Sequence, residues 1–350
     1  MHMADALLAP AVAATMYAAT AVTVGASVKT LKKDETTAKL PTMAVTSALV
    51  FAGQMINYTI PGTGSSGHLC GGMMLTALLG PQAGFLSMVV ILAIQALFFA
   101  DGGLLALGAN CWNMAFYGCF VGYYLLWRPI MRSKLFGSSK GAARAKITLA
   151  SILGCIITLQ LGAFSVVLET SASGITELPF GAFVGIMQPI HLAIGLVEGL
   201  ITSAVLVFVY EARPELLMDV NGKEEGRCSL KTTIVILAVV VAIVGGGLSL
   251  FASSNPDGLE WSMFGNTESG YSENMGLDEE SYGVSSGAAE VAGSIQEKTA
   301  FLPDYAFADS DSAAGTSVSG LLGSAIVAGA AVLVCMAGGF FRKRKAAANA

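Results

Sequence analysis

Histidine occurs only three times in the 350 residues of this chain, as His2, His68 and His191, and the first stands directly behind Met1. A chain that begins X-His offers three nitrogens to one metal ion: the terminal amine, the His2 amide once deprotonated, and the His2 imidazole. They close two small chelate rings in one plane. Four planar nitrogens suit Ni(II) or Cu(II), and imidazole ligands also suit cobalt and zinc. His68 is the candidate fourth donor. It stands in NYTIPGTGSSGHLCGG, where five glycines and two serines make a stretch too permissive for a helix. The bland alternative for His2 is a solvated terminal residue, and for the glycine-rich stretch a plain turn.

The elements that would bring Met1, His2 and His68 together are membrane helices. Charged residues make up 12% of the chain and mean hydropathy is +0.67, against roughly 25% charged residues in an ordinary soluble domain. The fold class expected is an all-α polytopic membrane protein. A hydrocarbon core about 30 Å thick takes about 20 apolar residues per helix, and apolar stretches run at 6–28, 41–60, 83–100, 104–127, 147–168, 183–210, 230–252 and 317–341, with a short ninth at 68–79. Backbone groups in lipid must bond within their own segment, so these are helices and the short one needs shielding by its neighbours.

Basic residues set the orientation. Lys29, Lys32, Lys33 and Lys39 follow the first span, Arg128, Arg132, Lys134, Lys140, Arg144 and Lys146 follow the fifth, and RKRK at 342–345 closes the last. All three clusters are cytoplasmic if nine helices are counted with the N-terminus outside. Met1, His2 and the His68 loop then share the outer face. The start is expected to be a retained signal anchor: a cleaved signal peptide carries basic residues before its apolar core, whereas here Asp5 comes first and the lysines follow. Glycine-rich backbone at membrane depth is tolerated where it is buried in protein or lines a polar cavity, which favours a site at His68.

Several polar residues could support that site. Gln188, His191, Gly195, Glu198 and Thr202 recur at three- and four-residue spacing on one face of the seventh helix. An ionisable residue inside a span is usually paired or faces a cavity, so His191 and Glu198 could orient the metal-bearing loops or form a structural hydrogen-bond network. Asp101, Asn110 and Asn113 flank another outer loop, as covers of the site or as helix caps. Gln54, Asn57 and Ser66 are further candidates for holding the His68 loop. On the first helix, Ala14, Ala18, Ala21 and Gly25 form a small-residue stripe that allows close helix approach, either to a partner or within the subunit.

Four ordered runs, MHMADALLAP, GSSGHLCGGMMLTALLGPQAG, LFFADGGLLALGANCWNMAF and HLAIGLVEGLIT, resemble the CbiM/NikM family of substrate-binding S components of energy-coupling factor (ECF) transporters for cobalt and nickel. The resemblance covers about 1–212. NPDGLEW at 255–261 resembles the PDGLE (NikN-like) domain, whose fused form would cover 230–345. It implies metal held by the Met1 amine, His2 and His68, with Ni2+ or Co2+ as transported substrate and no tightly bound cofactor. It also implies a T component (CbiQ/NikQ-like) docked on the small-residue face, two ATP-binding subunits (CbiO/NikO-like) and a multi-pass place in a prokaryotic plasma membrane. Many members read M-H-I-P-D-G or M-H-I-x-x-G where this chain reads MHMADA, so the resemblance carries the histidine and leaves the choice of metal open.

The organisation expected is a seven-helix metal-binding domain at 1–212, a cytoplasmic linker at 213–229, and a two-helix unit at 230–345 around an outer acidic loop. That loop, 253–315, holds twelve acidic residues against the single Lys298, and its Gly/Ser-rich composition predicts an extended, loosely ordered segment. It could draw divalent cations by its field or press on the metal-binding domain. The chain carries no G-x-x-x-x-G-K-[ST] loop, so ATP hydrolysis would come from partners. The cysteines form no C-x-x-C pair, and no enzymatic activity or nucleic-acid partner is expected. Two rivals are an intramembrane serine hydrolase using Ser65 or Ser66 with His191, which GTGSSGH does not fit, and a stand-alone ion-coupled permease, which would need paired broken helices in two related halves.

Overall fold

The computed structural model describes the chain apart from residues 32, 135, 138, 221–225, 268–274, 276, 278–281, 308–311 and 349–350, and apart from the side chains of 33–38, 335 and 337–348. The basic side chains of Lys32, Lys33 and 342–345, Cys335, and seven acids of the outer segment (Glu268, Glu273, Asp278, Glu279, Glu280, Asp309 and Asp311) therefore lie outside the described residues.

Helices α1 (Pro10–Thr30) and α2 (Lys33–Gln54) come first. A short antiparallel hairpin, β1 (Tyr58–Ile60) and β2 (Ser65–Gly67), leads into α3 (Gly72–Leu79) and α4 (Pro81–Phe99). One continuous helix then runs through α5 (Leu107–Asn110), a π-helical stretch Cys111–Trp127, and α6 (Arg128–Arg132). Two long helices, α7 (Lys140–Ala172) and α8 (Phe180–Ala212), complete the first part, and α9 (Leu230–Gly246), α10 (Gly258–Phe264), α11 (Gly287–Thr299) and α12 (Ala314–Ala348) form the rest.

Six helices among the described residues are long and apolar enough to cross a membrane: α1, α4, α7, α8, the segment Leu230–Phe251 and the segment Ala314–Val334. The other three expected spans differ, each in its own way. Helix α2 opens on the charged run KDETTAK. Helix α3 has eight residues, about 12 Å at 1.5 Å each, too short to span. All eight are buried, so the bundle supplies the shielding that its length requires. It fits because a Cβ on Gly72 would come within 2.9 Å of Gly118 Cα; two glycines let the backbones touch. The third segment changes winding, with Arg128 N–H reaching back five residues to Tyr123 O, a run far longer than the usual single-turn π-bulge.

Helices α7 and α8 form the most extensive pair, and a Cβ on Gly199 would lie 2.6 Å from Ile152 Cα. Helices α9 and α12 meet at another small-residue contact, where a Cβ on Gly245 would lie 3.0 Å from Gly320 O, and both pack on α2. The acidic segment departs from expectation. Its described residues form α10, α11 and a 3-10 turn at Pro303–Tyr305, anchored by the buried Leu259, Met263 and Leu302. A composition average hides such anchors.

The ends of the bundle sort by residue. Thr30, Lys39, Gly80, Arg128, Arg132 and Met218 line one cavity. His2, Asp101, Asp257 and Asp304 line another.

Candidate metal site

The N-terminus is threaded into the bundle, which decides the environment of Met1 and His2. Met1, Met3, Leu7 and Leu8 are buried, so apolar burial draws the first residues inward. Asn110 clamps Met3: its Oδ1 accepts from Met3 N–H at 2.8 Å and its Nδ2 donates to Met3 O at 3.2 Å. Gly103 N–H donates to Met3 O at 2.8 Å, and Ala106 N–H to Asp5 Oδ1 at 3.0 Å. In that position the Met1 amine lies 3.0 Å from His68 Nε2 and 2.5 Å from Asp257 Oδ2. The His2 and His68 rings stack with centroids 5.1 Å apart and planes 20° apart.

Hydrogen bonds assign the tautomers. His68 Nδ1 faces Leu69 O at 3.0 Å; a carbonyl only accepts, so Nδ1 carries the proton and the Nε2 lone pair faces the amine. His2 Nδ1 faces Asp101 Oδ1 at 3.1 Å, and His191 Nδ1 donates to Met187 O at 2.8 Å. The Nε2 atom of His191 is buried without a partner, while the His2 ring also meets the Gln95 side chain. Burial lowers the pKa of both His2 and His68, with Asp101 opposing the shift at His2 and the terminal ammonium adding to it at His68. Both imidazoles are therefore neutral at pH 7, as a metal ligand must be.

The His68 loop is held from three sides. Both Glu198 oxygens accept main-chain N–H groups, from Cys70 at 3.0 Å and Gly71 at 2.9 Å. Gln54 Nε2 donates to Cys70 O at 2.8 Å. Ser66 N–H donates to Pro256 O, and Ser66 Oγ to Asn255 O, each at 2.8 Å. Asn57 meets the outer segment through its main chain, accepting from Ser253 N–H at 2.7 Å. Asn113 lies one layer deeper, donating to Glu169 Oε2 at 2.8 Å. The small-residue stripe on α1 is exposed at Ala14, Ala18, Ala21 and Gly25, so it does not pack within the described residues.

Asp257 is the site residue that the histidine-led reading did not single out. The run PDGLE contained its signal: Asp followed three residues later by Glu is a capping box. Asp257 Oδ1 accepts from Leu259 N–H at 2.7 Å and Glu260 N–H at 3.0 Å, while Asp257 N–H donates to Glu260 Oε2 at 3.2 Å. That leaves Oδ2 for the amine. Burial works to raise the Asp257 pKa, but the charge and hydrogen bond of the terminal ammonium and the hydrogen bond from Glu260 N–H outweigh it and hold the carboxyl well below the usual carboxylate range. Glu260, beside that charge and buried, is pushed up to about 7. Gly258 packs where a Cβ would lie 2.7 Å from Ile194 Cδ1 and 3.2 Å from His191 Nε2.

Among the described residues no group of three or more His, Cys, Asp or Glu side chains could hold a metal ion. Neither Ser65 nor Ser66 is poised as a nucleophile, since their hydroxyls bond the carbonyls of Ser66 and Asn255.

Residues 2–216 match the family model for CbiM, the cobalt uptake substrate-specific transmembrane region. The chain belongs to the CbiM family. A PDGLE domain matches at residues 231–338. This CbiM-family chain is 33% identical over 334 residues to the putative fused nickel transport protein NikMN of Archaeoglobus fulgidus, covering 93% of this chain and 95% of that one. It is 32% identical over 344 residues to the fused nickel transport protein NikMN of Rhodobacter capsulatus, with the same coverage of each chain. The crystal structure of a truncated transition metal transporter is similar at 32% identity and a TM-score of 0.50, covering 60% of this chain and 99% of that one. The CbiM-family chain is thus a multi-pass plasma-membrane component of divalent transition-metal uptake, of the nickel and cobalt class, and not an enzyme. Its family implies an ECF-type transport system in which the metal is transported substrate.

Proposed function

We propose that this chain captures Ni2+ or Co2+ at its outer face through the Met1 amine, the His2 amide, the His2 imidazole and His68 Nε2. The observation that carries the reading is the 3.0 Å separation of the Met1 amine from His68 Nε2. Two donors at right angles on a metal with bonds of about 2.0 Å stand about 2.8 Å apart, so this pair needs little movement to become neighbours on one ion. Closing the six-membered ring requires His2 Nδ1 to exchange Asp101 for the metal. Gln54, Ser66, Asn110 and Glu198 act by fixing the two backbones that carry the donors, with Asp101, Asn57, Asn113 and His191 around them.

In this reading the chain crosses the membrane nine times with its N-terminus outside, seven times within 1–212, where α3 completes its crossing with the non-helical stretch from His68 that leads into it, and twice within 230–345, with 213–229 as the cytoplasmic linker. Support comes from the gathering of Met1, His2, His68 and Asp257 at one end and of Thr30, Lys39, Arg128 and Arg132 at the other. A T component docks on the exposed Ala14, Ala18, Ala21 and Gly25 face, and its two ATPases drive inward release. Planar nitrogen ligation leans toward nickel.

The test is metal titration of the purified chain with its native Met1-His2 start against the same chain carrying a short N-terminal extension, followed by calorimetry and visible absorption. Loss of tight binding on extension is the expected result. Equal binding by both forms removes the amine from the site.

A further inference from the structure

We propose that the cavity at the end of the bundle remote from the capture site binds the headgroup phosphate of an anionic membrane lipid. Its volume is about 350 Å³, within the roughly 300–1,000 Å³ of small-ligand sites. Lys39, Arg128 and Arg132 line it, and among the described residues no Asp or Glu does.

Arg128 and Arg132 stand four residues apart on α6, where like charges repel. The structure neutralises one of them. Asp219 Oδ1 accepts from Arg132 Nε at 2.7 Å, and Asp219 Oδ2 accepts from the Tyr123 hydroxyl at 2.6 Å. Trp127 Nε1 donates to Met218 O at 2.9 Å and Met218 N–H to Ala77 O at 2.8 Å, which fixes that wall of the cavity. Arg128 is half-buried, and no carboxylate among the described residues forms an ion pair with it. A cation held between apolar helices is costly unless paired, so the wall is complementary to an anion. A guanidinium meets phosphate oxygens two at a time. Lys39, whose Nζ donates to Met218 Sδ at 3.3 Å, adds a further charge to the same cavity.

The position of the cavity selects a lipid over a soluble phosphate. Tyr124 also lines it and is 42% exposed, and the adjacent Leu125 is 69% exposed on the apolar perimeter of the bundle. Gln82 Nε2, on the cavity wall, donates to the Tyr124 hydroxyl at 3.4 Å. Tyrosine is enriched at the boundary between water and hydrocarbon, which is the depth of a headgroup, and basic pockets between membrane helices take anionic headgroups. A zwitterionic headgroup brings its own ammonium against the same cations, so a net negative lipid is favoured. Bound there, it ties the ends of α1, α2 and α4 to α6, all of which contribute to the cavity. The N-terminus-outside reading makes this the inner leaflet; the site depends neither on that orientation nor on nitrogen capture.

The probes are phosphatidylglycerol and phosphatidylcholine, with glycerol phosphate as the soluble arm. Lipid retained by the full chain is measured by native mass spectrometry, and the melting temperature is taken in nanodiscs of each lipid. The wild type is expected to retain phosphatidylglycerol over phosphatidylcholine and to melt higher in it, with no displacement by glycerol phosphate. R128Q should weaken phosphatidylglycerol retention about fivefold and leave nickel titration unchanged; K39Q replaces it should R128Q not fold. R144Q removes an equal charge outside the cavity, from a residue paired with Glu211, and should match the wild type. A wild type without lipid preference, or an R128Q that retains phosphatidylglycerol as well as the wild type, overturns the proposal. So does an R144Q that loses as much as R128Q, since attraction would then be diffuse. Displacement by glycerol phosphate overturns the lipid and puts a soluble phosphate ester in its place.

Discussion

Replacing Glu198 by Ala tests whether the loop around His68 is a positioned ligand carrier. The carboxylate accepts the Cys70 and Gly71 N–H groups at 3.0 and 2.9 Å, two and three residues beyond His68, and the side chain is 2% exposed. Removing it leaves two buried donors unsatisfied at about 1–3 kcal/mol each. Gln54, bonded to Cys70 O, and the Ser66 contacts hold the same loop, so the fold should survive while the loop samples other conformations. If about 2 kcal/mol of the loss falls on the conformation that presents His68, metal affinity drops roughly 30-fold, at tenfold per 1.4 kcal/mol. E198Q keeps one acceptor oxygen but turns an NH2 toward the other N–H, so it should fall between wild type and E198A. The assay is nickel and cobalt titration of the folded variants, with a thermal melt as control. E198A that melts below wild type yet binds metal with unchanged affinity would refute the reasoning, for Glu198 would then be a structural hydrogen-bond partner alone.

Gly258→Ala should loosen α10 from α8, because its Cβ would meet Ile194 Cδ1 at 2.7 Å and His191 Nε2 at 3.2 Å; a cost of about 1–3 kcal/mol should appear as faster hydrogen exchange across 256–264. Unchanged exchange there would show that the contact yields freely. Stability should fall with acidification from about pH 6.5: His2 and His68 have lowered folded pKa values, so the unfolded chain binds more protons as pH drops. The depressed Asp257 acts in the same direction at lower pH. Metal capture should weaken as pH falls because binding displaces protons from the donor nitrogens. A melting temperature flat between pH 7.5 and 5.5 would contradict the buried neutral histidines.

Much of the candidate site was legible because the residues that meet there are rare types in a chain otherwise poor in polar groups. His2 and His68 stand out by type, and the basic loops assign both to one face without any contact being known. Glu198 was legible as an ionisable residue on an inward helix face, although its partners were not: the structure gives it two main-chain N–H groups, whereas His191 bonds Met187 O. Asp257 was harder to find. Its capping box is a local pattern shared by many helix starts, and only contact across 256 residues shows that one of its oxygens is left over for the amine.

Hydropathy and charge by themselves determined that this is a membrane protein and which nitrogens are available, because transfer of apolar groups and of charge depends on residue type and local sequence. The tertiary structure decided the rest. An eight-residue α3 is stable because Gly72 meets Gly118, and a segment read as loose is ordered by Leu259, Met263 and Leu302. The Met1 amine comes to lie between His68 and Asp257 because Met3, Leu7 and Leu8 are buried and Asn110 grips the backbone behind it. These are contacts between residues far apart in the chain, and a sequence read window by window holds no distance between them.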